Sequence, residues 1–185
     1  MGEVAPSIEE LHLIHYPDPR LRGVAKTVEE ITDEIRAIAD RMIDVMHEAR
    51  GVGLAAPQVG LDIRLIVLKS LNGDLAETPD GDAPTGVAFV NPVIVSRKGF
   101  LSDEEGCLSL PDIRAKIRRS EQVTVRAWDL DGQERLLSAS GVVARAWQHE
   151  IDHLDGLLII DKMTEAARIN NARRLRELEA VFEET

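Results

Sequence analysis

The chain has 185 residues, 22 Lys and Arg against 33 Asp and Glu, a formal charge of −11 and a single cysteine. Hydrophobic residues at 44% can build a core, which excludes global disorder, and no apolar run approaches the ~18 residues of a membrane-spanning helix. The acidic balance excludes generic nucleic-acid binding, and one unpaired cysteine with no secretory pattern over residues 1–10 points to a reducing, cytoplasmic location.

In chain order, Tyr16-Pro17-Asp18-Pro19 reads as a loop, because each proline restricts the residue before it. Ile31, Ile35, Ile38, Met42, Val45 and Ala49 then recur at steps of four and three, which predicts a helix over 27–50 ended by Gly51 and Gly53. The β-branched run 63–68 predicts a buried strand, and the Gly, Pro and Asp content of 70–86 predicts an exposed loop. Residues 89–95 and 122–128 read as strands. Asp131-Gly132 is the turn that pairs the second of these with 134–137 as a hairpin. A helix follows over 141–154, ended by Gly156, then a short strand over 157–160. The last element is a helix over 164–184, capped by Thr164, with Arg173, Arg174 and Arg176 as a locally basic stretch. No repeat or domain boundary interrupts the chain.

The second predicted helix contains His149-Glu150-Ile151-Asp152-His153. Two histidines four residues apart lie one turn apart on one helix face and can reach a single cation. Glu150 is turned about 100° away, close to the metal without binding it, as a general base acting on water requires. Val142 and Ala146 continue the histidine face as an apolar stripe.

A catalytic metal needs a third protein ligand. Continuing the pattern through Gly156 meets Ile159 where a metzincin has histidine, so that arrangement is excluded. Glu165 and Glu177 are formally available downstream but lie in or near a charged helix; an H-E-x-x-H endopeptidase would need such a downstream ligand, whereas a structural metal site would have no need of Glu150. Cys107 is the better candidate, since a thiolate is a strong ligand for a borderline-soft cation and this one sits between Gly106 and a Pro-terminated turn. Gln58, in the small-residue stretch Gly51-Val52-Gly53-Leu54-Ala55-Ala56-Pro57-Gln58, can offer an amide hydrogen to an oxyanion.

Three segments together resemble the peptide deformylase family: Gly51-x-Gly53-x-Ala55-Ala56-x-Gln58, Glu105-Gly106-Cys107-Leu108-Ser109, and Gln148-His149-Glu150-x-x-His153. The likeness extends over about residues 13 to 165, including the opening Tyr16-Pro17-Asp18-Pro19-Arg20-Leu21. It implies an α+β fold: a compact mixed domain over 1–185, with short antiparallel strands around a central metal-binding helix and residues 164–185 as a C-terminal helix.

It also implies a metallohydrolase that removes the formyl group from the N-terminal formyl-methionine of nascent polypeptides. Cys107, His149 and His153 would be the metal ligands, with water in the fourth position. Glu150 would take a proton from that water and return one to the leaving amine. Gln58 and the backbone N–H of Leu108 would bind the oxyanion. Val52, Gly53 and Gly106 would hold the substrate backbone, and Val52, Val142 and Ala146 would line the methionine pocket. The family typically uses Fe(II), with Zn(II), Ni(II) or Co(II) able to substitute, and a thiolate beside a redox-active metal implies oxygen sensitivity. The C-terminal helix resembles one that docks on the ribosome.

Overall fold

The computed structural model describes residues 7–70 and 86–183. The predicted loop over 70–86 lies, except for its two end residues, outside the described residues. The fold is built on a five-stranded antiparallel sheet of order β1-β2-β3-β6-β7, with β1 Gly53–Ala55, β2 Leu65–Lys69, β3 Gly86–Lys98, β6 Gln122–Trp128 and β7 Glu134–Ser140. A separate two-stranded hairpin pairs β4 Leu101–Cys107 with β5 Leu110–Arg119. Four helices complete it: α1 Asp33–Glu48, α2 Gly141–Leu154, the single turn α3 Ile159–Lys162, and α4 Glu165–Glu183.

The helices α1 and α2 cover opposite faces of the sheet. Leu65 and Val67 of β2 pack with Met42, Val45 and Met46 of α1, whereas Ile66 and Leu68 pack with Ala144, Trp147 and Ile151 of α2. A strand covered on both sides has no solvent face, so β2 reads as a continuous apolar run rather than an alternating one. Trp147 seats α2 on the sheet against Phe89 of β3, with ring centroids 4.6 Å apart, and is fully buried. A third cluster joins Ile113, Ala115 and Ile117 of β5 to Ile159 and Ile160 of α3 and Leu178 of α4.

Several sequence expectations are corrected. The first helix spans 33–48 rather than 27–50, because the Thr32 hydroxyl accepts a hydrogen bond from the Ile35 N–H at 3.3 Å and caps it there. Ile31 still packs on the α1 cluster, from outside the helix. The predicted strand over 157–160 is instead the approach Leu157-Leu158 and the first half of α3, whose turn is closed by Asp161 accepting from the Leu158 N–H at 2.8 Å. The strand expected over 89–95 is longer, and β1, β4 and β5 carry no counterpart among the predicted elements. The helix over 141–154, its end at Gly156 (φ 73) and the β6–β7 pairing are as expected, and Thr164 caps α4 through the Ala167 N–H at 3.2 Å.

Candidate metal centre

Three elements from different layers meet at one place. Helix α2 presents His149 and His153, the end of β4 presents Cys107, and the 3-10 turn Ala56–Val59 that follows β1 presents Gln58. The Nε2 atoms of the two histidines lie 3.3 Å apart, and the Cys107 Sγ lies 3.3 Å from the His153 Nε2. All three ligand atoms fall within 4.8 Å of one another. Two nitrogens at about 2.0–2.1 Å from one tetrahedral centre are about 3.3 Å apart, and a sulfur at about 2.3 Å lies about 3.5 Å from either. The donor set therefore fits a four-coordinate divalent cation with one position left over. Among the described residues neither Glu165 nor Glu177 joins a metal-competent group.

The two imidazoles differ in how they hold a proton. Burial, together with the nearby His149 and Arg119 charges, holds His153 well below its ordinary value, so its lone pair is available. Burial also lowers His149, but contacts to Cys107 and Glu105 outweigh it and raise the group, so a cation would compete there with a proton.

Glu150 occupies the next position around α2. Its side chain is buried, its Oε2 has no hydrogen-bond partner among the described residues, and burial pushes its carboxyl up to about 7 against the pull of His149 and Arg119. The backbone of β1 makes room for it. A Cβ on Gly53 would stand 2.9 Å from the Glu150 Cγ and Cδ, so a side chain at 53 displaces the carboxylate.

Gln58 is fixed at both ends of its amide. Its Oε1 accepts from the Ala55 N–H at 2.9 Å, which turns its Nε2 to donate to the Ser109 Oγ at 3.1 Å and to face the Cys107 Sγ at 3.6 Å. That amide is aimed at the centre of the site, 1% exposed and held in place.

A cavity of about 470 Å3 opens over these groups. Val52, Gly53, Gln58, Gly106, Cys107, Leu108, Val142, Ala146, His149 and Glu150 all line it, and His153 lies beneath, 1% exposed. Every site residue expected from the sequence is thus brought to one location. Sequence reasoning missed the groups behind them.

The chief of these is Glu105, which accepts from Arg119 at 2.9 Å on both oxygens, from Arg145 at 2.5 Å, and from the His149 Nδ1 at 3.2 Å. Burial opposes its ionisation, but the Arg119 and His149 hydrogen bonds outweigh burial and hold its carboxyl well below the usual range. An ionised Glu105 fixes the His149 tautomer with the proton on Nδ1, leaving Nε2 for a metal. Arg119 continues to Asp152, which also pairs with Lys162 at 3.2 Å. The missing signal was strand alternation: of the neighbours Glu104 and Glu105, β4 exposes the first and buries the second.

Known proteins resemble this chain over most of its length. A family model described as polypeptide deformylase matches residues 10–168. A peptide deformylase of Acidobacterium capsulatum is 44% identical over 173 residues, covering 92% of this chain and 96% of that protein. One from Brucella suis is 43% identical over 167 residues, covering 90% and 91%. Among solved structures, peptide deformylase of Plasmodium falciparum superposes with a TM-score of 0.84 at 36% identity, over 94% of this chain and 98% of that one. A Legionella pneumophila peptide deformylase gives 0.79 at 38%, over 94% and 97%.

Proposed function

The chain belongs to the peptide deformylase family of metal-dependent hydrolases, which remove the N-terminal formyl group from nascent peptides, and we propose that it does so on formyl-methionine through the centre described above. The observation that carries this reading is the convergence of Cys107, His149 and His153 beside a Glu150 oxygen with no hydrogen-bond partner among the described residues. A divalent cation held by those three residues, Fe(II) foremost and Zn(II), Ni(II) or Co(II) as substitutes, would polarise the formyl carbonyl and lower the pKa of water.

The remaining work falls to the chain's own groups. Glu150 takes the proton of the attacking water as the new C–O bond forms. It then delivers a proton to the amine nitrogen as the C–N bond breaks, so that formate and a free N-terminus leave. The Gln58 Nε2 and the backbone N–H of Leu108 receive the oxyanion of the tetrahedral intermediate. The edge of β1 at Val52 and Gly53 and the backbone at Gly106 pair with the substrate as an added strand, and Val52, Val142 and Ala146 take up the methionine side chain. A formyl carbon carries only hydrogen, so a narrow site excludes larger acyl groups by size.

We assign residues 1–185 to one catalytic domain working in the cytoplasm, with α4 as its C-terminal helix. The ribosome is the partner we assign to α4, whose Arg173 and Arg176 are exposed, although Glu177 pairs with both Arg173 and Arg174.

The deciding experiment is formate release from a formyl-Met tripeptide, with the protein purified anaerobically and its metal content measured. Glu150→Gln should keep the metal and lose about 10²–10⁴-fold in kcat. No formate from metal-loaded wild type would overturn the assignment.

A further inference from the structure

The cysteine ligand sits on the β4–β5 hairpin and the two imidazoles on α2, so the distance between them depends on how hairpin and helix are joined. We infer that Arg145 is a positioning residue that sets this distance by cross-linking α2 to both strands of the hairpin. Its Nη1 donates to the Glu105 Oε1 of β4 at 2.5 Å and to the Ile117 carbonyl of β5 at 3.1 Å, and its Nη2 donates to the Leu101 carbonyl at the start of β4 at 3.4 Å. One guanidinium therefore spans three acceptors on two strands, which a planar fork of donors does and a point charge does not.

Its place on the helix makes this hold relevant to the metal. Arg145 stands one turn before His149 on the same face, so both side chains reach the same carboxylate, Glu105. Glu105 in turn precedes Cys107 by two residues, placing them on the same side of β4. Fixing Glu105 fixes the His149 ring on one side and the strand carrying the thiol on the other. Arg145 also lines the cavity over the site.

The inference rests on the ligand assignment proposed above, and cobalt tests the two separately. Anaerobic Co(II) loading of the wild type should give a thiolate-to-cobalt absorption band that Cys107→Ser abolishes. Absence of that band would overturn the ligand assignment and this inference with it. Given the band, Arg145→Leu should weaken Co(II) binding about 10–100-fold in chelator competition and shift the ligand-field bands. Arg145→Lys, which keeps the charge but reaches one acceptor at a time, should fall between the two. Ile38→Ala, a stability control in the core beneath α1 and outside the cavity lining, should lower the melting temperature with Co(II) affinity unchanged. Wild-type affinity and spectrum in Arg145→Leu would overturn the inference, as would wild-type affinity in Arg145→Lys should the leucine variant not fold. An equal loss of affinity in Ile38→Ala at matched melting temperature would overturn it as well.

Discussion

The hairpin β6–β7 turns through Asp131-Gly132, and the hairpin β4–β5 turns through Leu108-Ser109. In the first, every hydrogen bond that closes the turn is local. The Asp129 carboxylate accepts from the Asp131 N–H at 3.1 Å, the Gln133 N–H at 2.8 Å and Arg135 at 2.7 Å, and Gly132 supplies the left-handed residue with φ 77. In the second, the turn is held from far along the chain. Gln58, 51 residues away, donates to the Ser109 Oγ, and Tyr16 donates its N–H to the Ser109 carbonyl at 2.9 Å. The residues at this second turn supply the thiol and the backbone N–H to which we assign the metal and the oxyanion, and tertiary contacts supply what turn chemistry does not. A hairpin built for structure carries its own instructions, whereas one built for chemistry borrows them.

If that division is right, the two hairpins should fail differently. The largest effect belongs to Cys107→Ser, which removes a ligand from the chemical hairpin. Metal affinity should fall by more than the ~100-fold that loss of an outer-shell partner costs, and deformylation with it, while the urea midpoint of the metal-free protein hardly moves. A variant that keeps its metal would break the comparison at its strongest point.

Gln58→Ala comes next. It removes both the proposed oxyanion donor and the tie to Ser109, and kcat should drop about 10²–10³-fold, as loss of one such donor does elsewhere. A rise in KM with kcat preserved would reassign Gln58 to substrate binding.

How much of this was legible in the sequence follows the same line. Helix α2 was readable to the residue because its apolar face, its histidine pair and Gly156 all lie within one short stretch, and β6–β7 because Asp131-Gly132 announces the turn. The hairpin β4–β5 was not. Ile113, Ala115 and Ile117 do alternate along β5, but their partner strand Leu101–Cys107 exposes most of its charged residues and offers no apolar face to match. The proposed metal ligands were legible as chemistry and motif, since thiol and imidazole are rare enough to be noticed. Glu105 and Arg119 were not, because one glutamate and one arginine among many become distinguishable only when pairing buries them together.

Ser109→Ala separates the turn from the ligand beside it. The chain keeps Cys107 and the Tyr16 bond to the backbone, and Gln58 loses only the acceptor that orients its amide. Stability should fall by about 1 kcal/mol, the net worth of one buried hydrogen bond. The telling readout is kcat, which should fall by more than that stability loss alone predicts, because the turn serves the amide rather than the fold. A kcat unchanged within twofold would place Ser109 with the structural residues.

The smallest effect is expected at the self-contained turn. Burial opposes ionisation of Asp129, but the hydrogen bond from the Gln133 N–H and the pairing with Arg135 outweigh it and hold the carboxyl below its ordinary value. A depressed folded value makes the contribution fully present above the unfolded aspartate pKa of about 3.9, and it is lost as pH falls through the folded value. Asp129→Asn cannot titrate, so its stability should decline less steeply than wild type below about pH 4, while near neutrality it is lower by about 1 kcal/mol. Deformylation should not change, since nothing at this turn reaches the cavity. If the asparagine variant altered activity as much as Ser109→Ala, a locally closed turn would be acting on the metal centre from the far edge of the sheet, and the two hairpins would no longer divide the work between fold and chemistry.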